Sequence, residues 1–363
     1  MLRDWLRNML FAGALAGAIS MAGTLRAGPL TDSLKPGEVK LQSTGPITFG
    51  PEGVLFVGDP KAAAVYAIGT GDNAASKPAP VNIENLSGKL AALLGTKEAD
   101  VQVNDIAVNP ESNKVYLSVS RGKGPGALPV ILSVGAGGEL KEVALASVPH
   151  AKAELSKPVA EGAKRMEAIT GLKVVKDKLF VAGLSNEEFA STLRKIALPF
   201  DGKTASAGIQ IYHGAHGKYE TAAPVRTFTT VEINGKEEIL AAYTCTPLVR
   251  IPVSELQDGA KVKGKTVAEL GNRNRPLDIL VYSKDGKPFA LMANSARGVM
   301  KVGLDNIESV DAISARVADT AGLKYETLKQ HVGVVHLAKL GDAHAVMLVR
   351  GTAGVSLKTI ELP

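Results

Sequence analysis

The feature that most constrains this chain is a phrase that recurs along it. An apolar strand is followed by a short polar turn, a second apolar strand ending in small polar residues, and a third strand. The phrase is clearest in residues 104–134 (NDIAVNPESNKVYLSVSRGKGPGALPVILSV) and 277–304 (LDILVYSKDGKPFALMANSARGVMKVGL). One such sheet cannot bury both its faces alone, so strand-built repeats of about 40–50 residues imply a propeller-type array.

Six units can be marked out between Gly28 and Pro363. The pairs Asn109-Pro110, Asp177-Lys178, Asn234-Gly235, Asp285-Gly286 and Gly341-Asp342 separate first from second strands. Turns this short give antiparallel hairpins, so the units are meanders and not βαβ crossovers. The expected fold is an all-β, six-bladed β-propeller, with seven blades as the alternative. The sixth unit lacks a fourth strand, and the strand-like stretch Glu38 to Gln42 is expected to supply it and close the ring. Three inserts, Leu86–Gly95, Ala151–Met166 and Val310–Leu323, show three- and four-residue apolar spacing and are expected to form helices on one face.

The first 27 residues stand apart. Arg3 and Arg7 precede an apolar, small-residue run from Met9 to Ala22, and Leu25-Arg26-Ala27 offers a cleavage site before Gly28. This is the layout of a secretory signal peptide, too short and too rich in Ala and Gly for a membrane span. The mature chain, 28–363, is then a single exported propeller domain without a membrane span, periplasmic or secreted, and is expected to be a monomer. One cysteine, Cys245, excludes an internal disulfide and a four-cysteine zinc site, which fits a periplasm better than a disulfide-rich extracellular module. The net charge of +6 is dispersed and aromatics are 4% of the chain, so the basic stripe with stacking rings that marks a nucleic-acid binder is missing.

Residues 105–121 (DIAVNPESNKVYLSVSR) resemble the repeat of the YVTN-type β-propellers, with Val115-Tyr116-Leu117-Ser118 in the place of the V-Y-V second strand. Weaker echoes are Leu55-Phe56-Val57, Leu179-Phe180-Val181 and Val346-Met347-Leu348. The resemblance implies an exported propeller of a superfamily that includes both binding modules and sugar-lactone hydrolases, so it speaks to fold more than to activity.

In such a ring, the loops between second and third strands and the linkers between blades emerge on one face. That face should carry Arg121, Glu187, Glu188, Asn272, Arg273, Asn274, Arg275, Asn294, Arg297 and Arg350, the candidate ligand-binding residues. Guanidinium forks bind carboxylate or phosphate at two points, so arginines pointing to a common central funnel would take an anionic small molecule. The same arginines could instead pair with Glu187, Glu188 or Glu220 and tie blades together. A partner protein across the rim is the other binding mode.

Two imidazoles, His213 and His216, lie in a glycine-containing segment (IYHGAHGKY, 211–219) and are candidate ligands of a divalent metal. Glu187, Glu188, His331 or Cys245 would complete such a site. The alternative is a loop-shaping role for both histidines. The string SNEEF (185–189) also reads as the capped start of a helical turn. These residues leave three functions open: a binding module, a metal-assisted hydrolase or lactonase-like enzyme, and an accessory protein of a periplasmic redox system. No G-x-S-x-G elbow, H-E-x-x-H or phosphate-binding glycine loop is present to choose among them.

Overall fold

A computed structural model describes residues 29–245 and 247–363. The expected signal peptide lies outside the described residues. Six sheets form a ring, and in each the first three strands follow one another as a meander. Blade one comprises Ile47–Phe49, Val54–Asp59 and Ala64–Gly69. Blade two runs from Val101–Val108 to Leu140–Glu142, blade three from Gly171–Val175 to Thr204–His213, and blade four from Thr227–Ile233 to Lys265–Leu270. Blade five starts at Pro276–Lys284 and ends at Tyr325–Leu328, and blade six holds Val334–Leu340, His344–Gly351 and Gly354–Glu361.

The hairpins follow from local chemistry. Asn234 and Gly235 have φ of 51° and 71°, and Asp285 and Gly286 have 52° and 73°. Two successive left-handed residues make the type I′ turn, whose twist matches that of the strands, and this is why Asn-Gly and Asp-Gly sit there.

The blades do not follow one another round the ring in chain order. Inner-strand packing places blade two between blades six and one, and blade one between blades two and three. After Gly69 the chain runs beneath blade two and reaches the outer edge of blade six, where Ile83 and Leu357 exchange backbone hydrogen bonds of 2.8 and 2.9 Å. It then forms the helix Leu86–Leu94 and enters blade two from its far side. On the way back, Val148–Glu154 pairs with Ala64–Gly69 as the fourth strand of blade one. Blades one and two are therefore interlocked, each flanked by chain that belongs to the other's path.

This route corrects two expectations. Residues 38–42 do not complete blade six: Lys35–Gly37 pairs with Val148–Glu154, and Val39 N–H donates to Leu145 O at 2.9 Å, so the segment edges blade one. The strap from blade one covers blade six in its place. Of the three expected helices only Leu86–Leu94 forms; Asn85 caps it by accepting from Gly88 N–H at 3.1 Å. In the second insert, Ala151, Ala153 and Leu155 also satisfy a period of two, and the open edge of blade one draws the first two into a strand that ends at Glu154, with Leu155 N–H donating to Ala63 O at 2.9 Å. The third insert crosses the edge of blade four, where Thr320–Gly322 pairs with Ala268, Glu269 and Leu270. Residues 186–189 form a bend and not a helical turn.

Stability resides between blades. Six apolar clusters each occupy one inter-blade seam, for example Phe180, Leu193, Phe228 and Val249 between blades three and four. A closed ring removes the exposed inner sheet edges that an open array would leave, so every seam is covered.

Candidate functional site

Three places on the ring concentrate functional chemistry: a central shaft, a groove on the face where the chain enters each inner strand, and a histidine hairpin at the seam of blades three and four.

The shaft is lined by all six inner strands and encloses about 80 Å³. Three of these strands carry register shifts at one level, before Asp105, Asp278 and His336. A bulge re-aims the side chain beside it, and here three polar groups turn toward one another. Asp105 accepts Ile47 N–H of blade one at 2.8 Å, and Asp278 accepts Leu337 N–H of blade six at 2.8 Å. Their other oxygens accept Ile106 N–H and Ile279 N–H, each at 2.8 Å. His336 Nδ1 stands 3.3 Å from Asp105 and 3.7 Å from Asp278. Burial works against its charge, but the two carboxylates outweigh burial and push its pKa up to about 9.

The trio has metal-ligand chemistry on paper, yet every carboxylate oxygen already holds a backbone N–H and the imidazole is a cation at neutral pH. It is a latch that ties four adjacent blades. At about 80 Å³, the shaft falls far below the roughly 300–1,000 Å³ of small-molecule pockets. In place of the expected anion funnel the axis holds a narrow shaft of mixed charge, where Asp105 and Asp278 share the lining with His336, Lys173 and Arg226.

Sequence inspection missed this trio. Its signal is positional: in N-D-I-A-V, L-D-I-L-V and V-H-L-A-K the polar residue holds the same place near the start of an inner strand.

The open volume lies off-axis. A groove of about 1600 Å³ crosses blades one, two and six on the entry face. Asn104 lines both shaft and groove, and its side-chain amide donates to Thr44 and Ser120 at 2.9 Å each, which forms the groove floor. Buried Asp59 fixes one wall by accepting Gln42 N–H at 2.6 Å and Ser43 N–H at 3.1 Å. Arg165 fixes another, with its guanidinium donating to Lys61 O and Val159 O at 3.0 and 2.8 Å. Arg350 lines the groove and is exposed; its backbone N–H donates to Gly333 O at 2.8 Å, and its guanidinium has no partner among the described residues. Met166, another lining residue, is 52% exposed.

The other candidate ligand-binding residues disperse. Asn272, Asn274, Asn294 and Arg297 knit the linker before blade five to the loop after its second strand: Asn294 donates to Asn274 at 2.8 Å, and Arg297 donates to Tyr325 and to Asn272 O at 3.2 and 3.3 Å. Arg275 lies on that linker with an exposed surface but a partly desolvated guanidinium, and this desolvation together with the neighbouring Arg226 charge holds its pKa below the ordinary arginine value. Arg121, at the end of the second strand of blade two, and Arg273, on the linker before blade five, are exposed and apart. Glu187 pairs with Lys157 at 2.8 Å and Glu188 with Lys261 at 2.5 Å, so lysines and not arginines meet these acids. Of the ten candidates, Arg350 alone lines the groove, and none lines the shaft.

The histidine hairpin is the tightest constellation. Thr204–His213 ends in a turn that reverses into Lys218–Glu220, with Gly217 at φ 67° as the turn requires. Gly214 lies so close to Glu269 that a Cβ would sit 2.8 Å from its Oε1, and this approach lets Gly214 N–H donate to that oxygen at 2.5 Å. Glu220 receives both imidazoles through their Nδ1 atoms, His213 at 2.9 Å and His216 at 2.7 Å, and the rings lie 3.8 Å apart. Burial pushes the Glu220 carboxyl up, but the two histidines outweigh it and hold the group below its ordinary value. Cys245, from the loop after the second strand of blade four, brings its thiol within 4.8 Å of the ligand atoms of both histidines.

No family model and no curated protein matches this chain. Among solved structures, it is similar to Drosophila plexin A in complex with semaphorin 1b, at 12% identity and a TM-score of 0.38, over 91% of this chain and 87% of that one. A streptogramin B lyase aligns at 11% identity and a TM-score of 0.34, over 91% and 97% of the two chains. A putative gluconolactonase aligns at 11% and 0.31, over 91% and 93%. The chain is a six-bladed β-propeller.

Proposed function

We propose that the protein is an exported binding module that takes a segment of a partner polypeptide into the groove over blades one, two and six. The observation that carries this reading is the groove itself. At about 1600 Å³ it exceeds the roughly 300–1,000 Å³ of small-molecule pockets, while the shaft, at about 80 Å³, falls far below them. Its chemistry suits a polypeptide carrying an acidic residue beside an apolar one: Arg350 offers an unpaired guanidinium, and Met166 an exposed thioether side chain. Leu128, at the start of the third strand of blade two, and Val332, just before the inner strand of blade six, are 56% and 76% exposed and add apolar surface to the same face. Export is supported by the basic, apolar and small-residue order of the first 27 residues, and kinship with the YVTN-type propellers by the strand phrase of blade two.

The test is a peptide-display selection against the purified domain, followed by affinity measurement on Arg350→Glu and Met166→Asp. A charge-assisted contact contributes about 1.5–3 kcal/mol, so Arg350→Glu should weaken selected acidic peptides at least tenfold. Peptides that bind both variants as well as the parent would remove the groove from the account.

A further inference from the structure

We propose that His213, His216 and Cys245 form a site for one thiolate-seeking transition-metal ion, zinc(II) or copper(I), at the outer seam of blades three and four. The site rests on different residues from the groove and does not depend on its function.

The donor set is the first argument. Two imidazole nitrogens and one thiol, all within 4.8 Å of one another, come from two different blades. Hard cations such as calcium and magnesium take oxygen ligands, whereas two imidazoles and a thiolate suit zinc and copper. In a tetrahedral zinc site with Zn–N of about 2.0 Å and Zn–S of about 2.3 Å, ligand atoms lie roughly 3.3–3.7 Å apart. Cys245 is half-buried on a loop, so a small movement of its side chain closes the remaining distance.

The arrangement of the imidazoles is the second argument. Ligating histidines characteristically donate their remaining N–H to a carboxylate, which fixes tautomer and ring direction. Glu220 does this for both rings at once, with His213 and His216 at 2.9 and 2.7 Å through Nδ1. Each Nε2 is thereby left as the acceptor, free to ligate.

The third argument is an unpaired atom. His213 is 3% exposed, and its Nε2 is buried without a hydrogen-bond partner among the described residues. Leaving a buried polar atom unsatisfied costs about 1–3 kcal/mol, and a ligand on that nitrogen offsets the cost. A hairpin clamp by Glu220 explains the Nδ1 contacts but not this orphan. His216, with its side chain 47% exposed, gives solvent access, so zinc would keep a fourth position for water while copper(I) would be complete with three ligands.

The experiment uses the reduced mature protein. Cobalt(II) titration followed by absorbance should saturate at one equivalent, with a thiolate-to-cobalt band in the near ultraviolet and intense visible bands of a four-coordinate ion. Zinc(II) should bleach these bands, and competition with a copper(I) indicator measures the second ion. Cys245→Ser should abolish the near-ultraviolet band, and His216→Ala should weaken binding at least a hundredfold. Glu220→Gln should retain one equivalent with a 10–100-fold loss of affinity, as expected of a residue that orients ligands. His213→Ala opens a buried cavity, so the half-buried and exposed positions Cys245 and His216 carry the test. Tight one-to-one binding of either ion supports the site and identifies the metal. Absence of the thiolate band, together with equal zinc and copper(I) affinities in parent, Cys245→Ser and His216→Ala, overturns it.

Discussion

His336 should make this ring sensitive to mild alkali. The imidazolium sits between Asp105 and Asp278 at 3.3 and 3.7 Å, and its pKa is pushed up to about 9 from an ordinary 6.5. A histidine raised in the folded state contributes stability that is fully present below its unfolded pKa and is lost as pH rises through the folded one. The window is therefore pH 6.5 to 9. At about 1.4 kcal/mol per pH unit the loss approaches about 3 kcal/mol, since the side chain is only 19% exposed and solvent screens it little. Arg226 and Lys173 also line the shaft, and the Arg226 guanidinium is paired with Glu167 at 2.7 Å. Urea unfolding at pH 6, 7.5 and 9.5 should show the parent's stability falling across this window. His336→Gln cannot titrate, so it should be less stable at pH 6 and nearly flat to pH 9.5, the two proteins converging in alkali. Parallel slopes for parent and variant would refute the latch.

Two other substitutions probe the ring's construction. Asp72 anchors the strap beneath blade two by accepting from Ser112, Lys114 and Tyr116 at 2.6, 2.6 and 3.0 Å, so Asp72→Ala should cost about 2–4 kcal/mol in denaturant unfolding and raise protease cleavage at residues 70–80. Burial raises the Asp72 pKa, but its bonds outweigh burial and hold it below the usual value, so the same contribution should also fade in acid, as pH falls below the carboxylate range. Arg194 is fully buried, burial pulls its pKa down to about 10, and its Nε and Nη1 have no partner among the described residues. Its Nη2 makes only two long bonds, to Ser156 O and Leu184 O at 3.4 Å, so Arg194→Met should raise stability by about 1–3 kcal/mol by removing the desolvation cost; a loss in calorimetry would show that these two bonds outweigh it.

The fold was legible where the code is local. Asn234-Gly235 and Asp285-Gly286 dictate their turns whatever surrounds them, and the alternating strands between them leave few options but a meander. Blade order was not legible, because the linker from residue 70 to 100 is long enough to reach either neighbour, and only the packing of Leu86, Leu90 and Leu94 into the seam of blades six and two selects the longer path. The stretch from Ala151 carries apolar residues that satisfy both helical and strand periods, and an open sheet edge decided between them. At the candidate sites, His213 and His216 announce themselves by spacing. Cys245 was one of four possible partners on the sequence, and the choice depended on which loop of blade four faces the hairpin. Asp105, Asp278 and His336 were overlooked because each looks like an ordinary polar residue in a strand until the repeats are superposed.

The central claim is that binding takes place in the off-axis groove on the entry face. Hydrogen–deuterium exchange of the mature protein with and without a display-selected acidic peptide tests it most directly. Protection should gather in residues 98–104, 122–127 and 350–355, which line the groove, and should be lost in Arg350→Glu. Protection confined to the opposite face, or to the hairpin turns of residues 234–235 and 285–286, would contradict it.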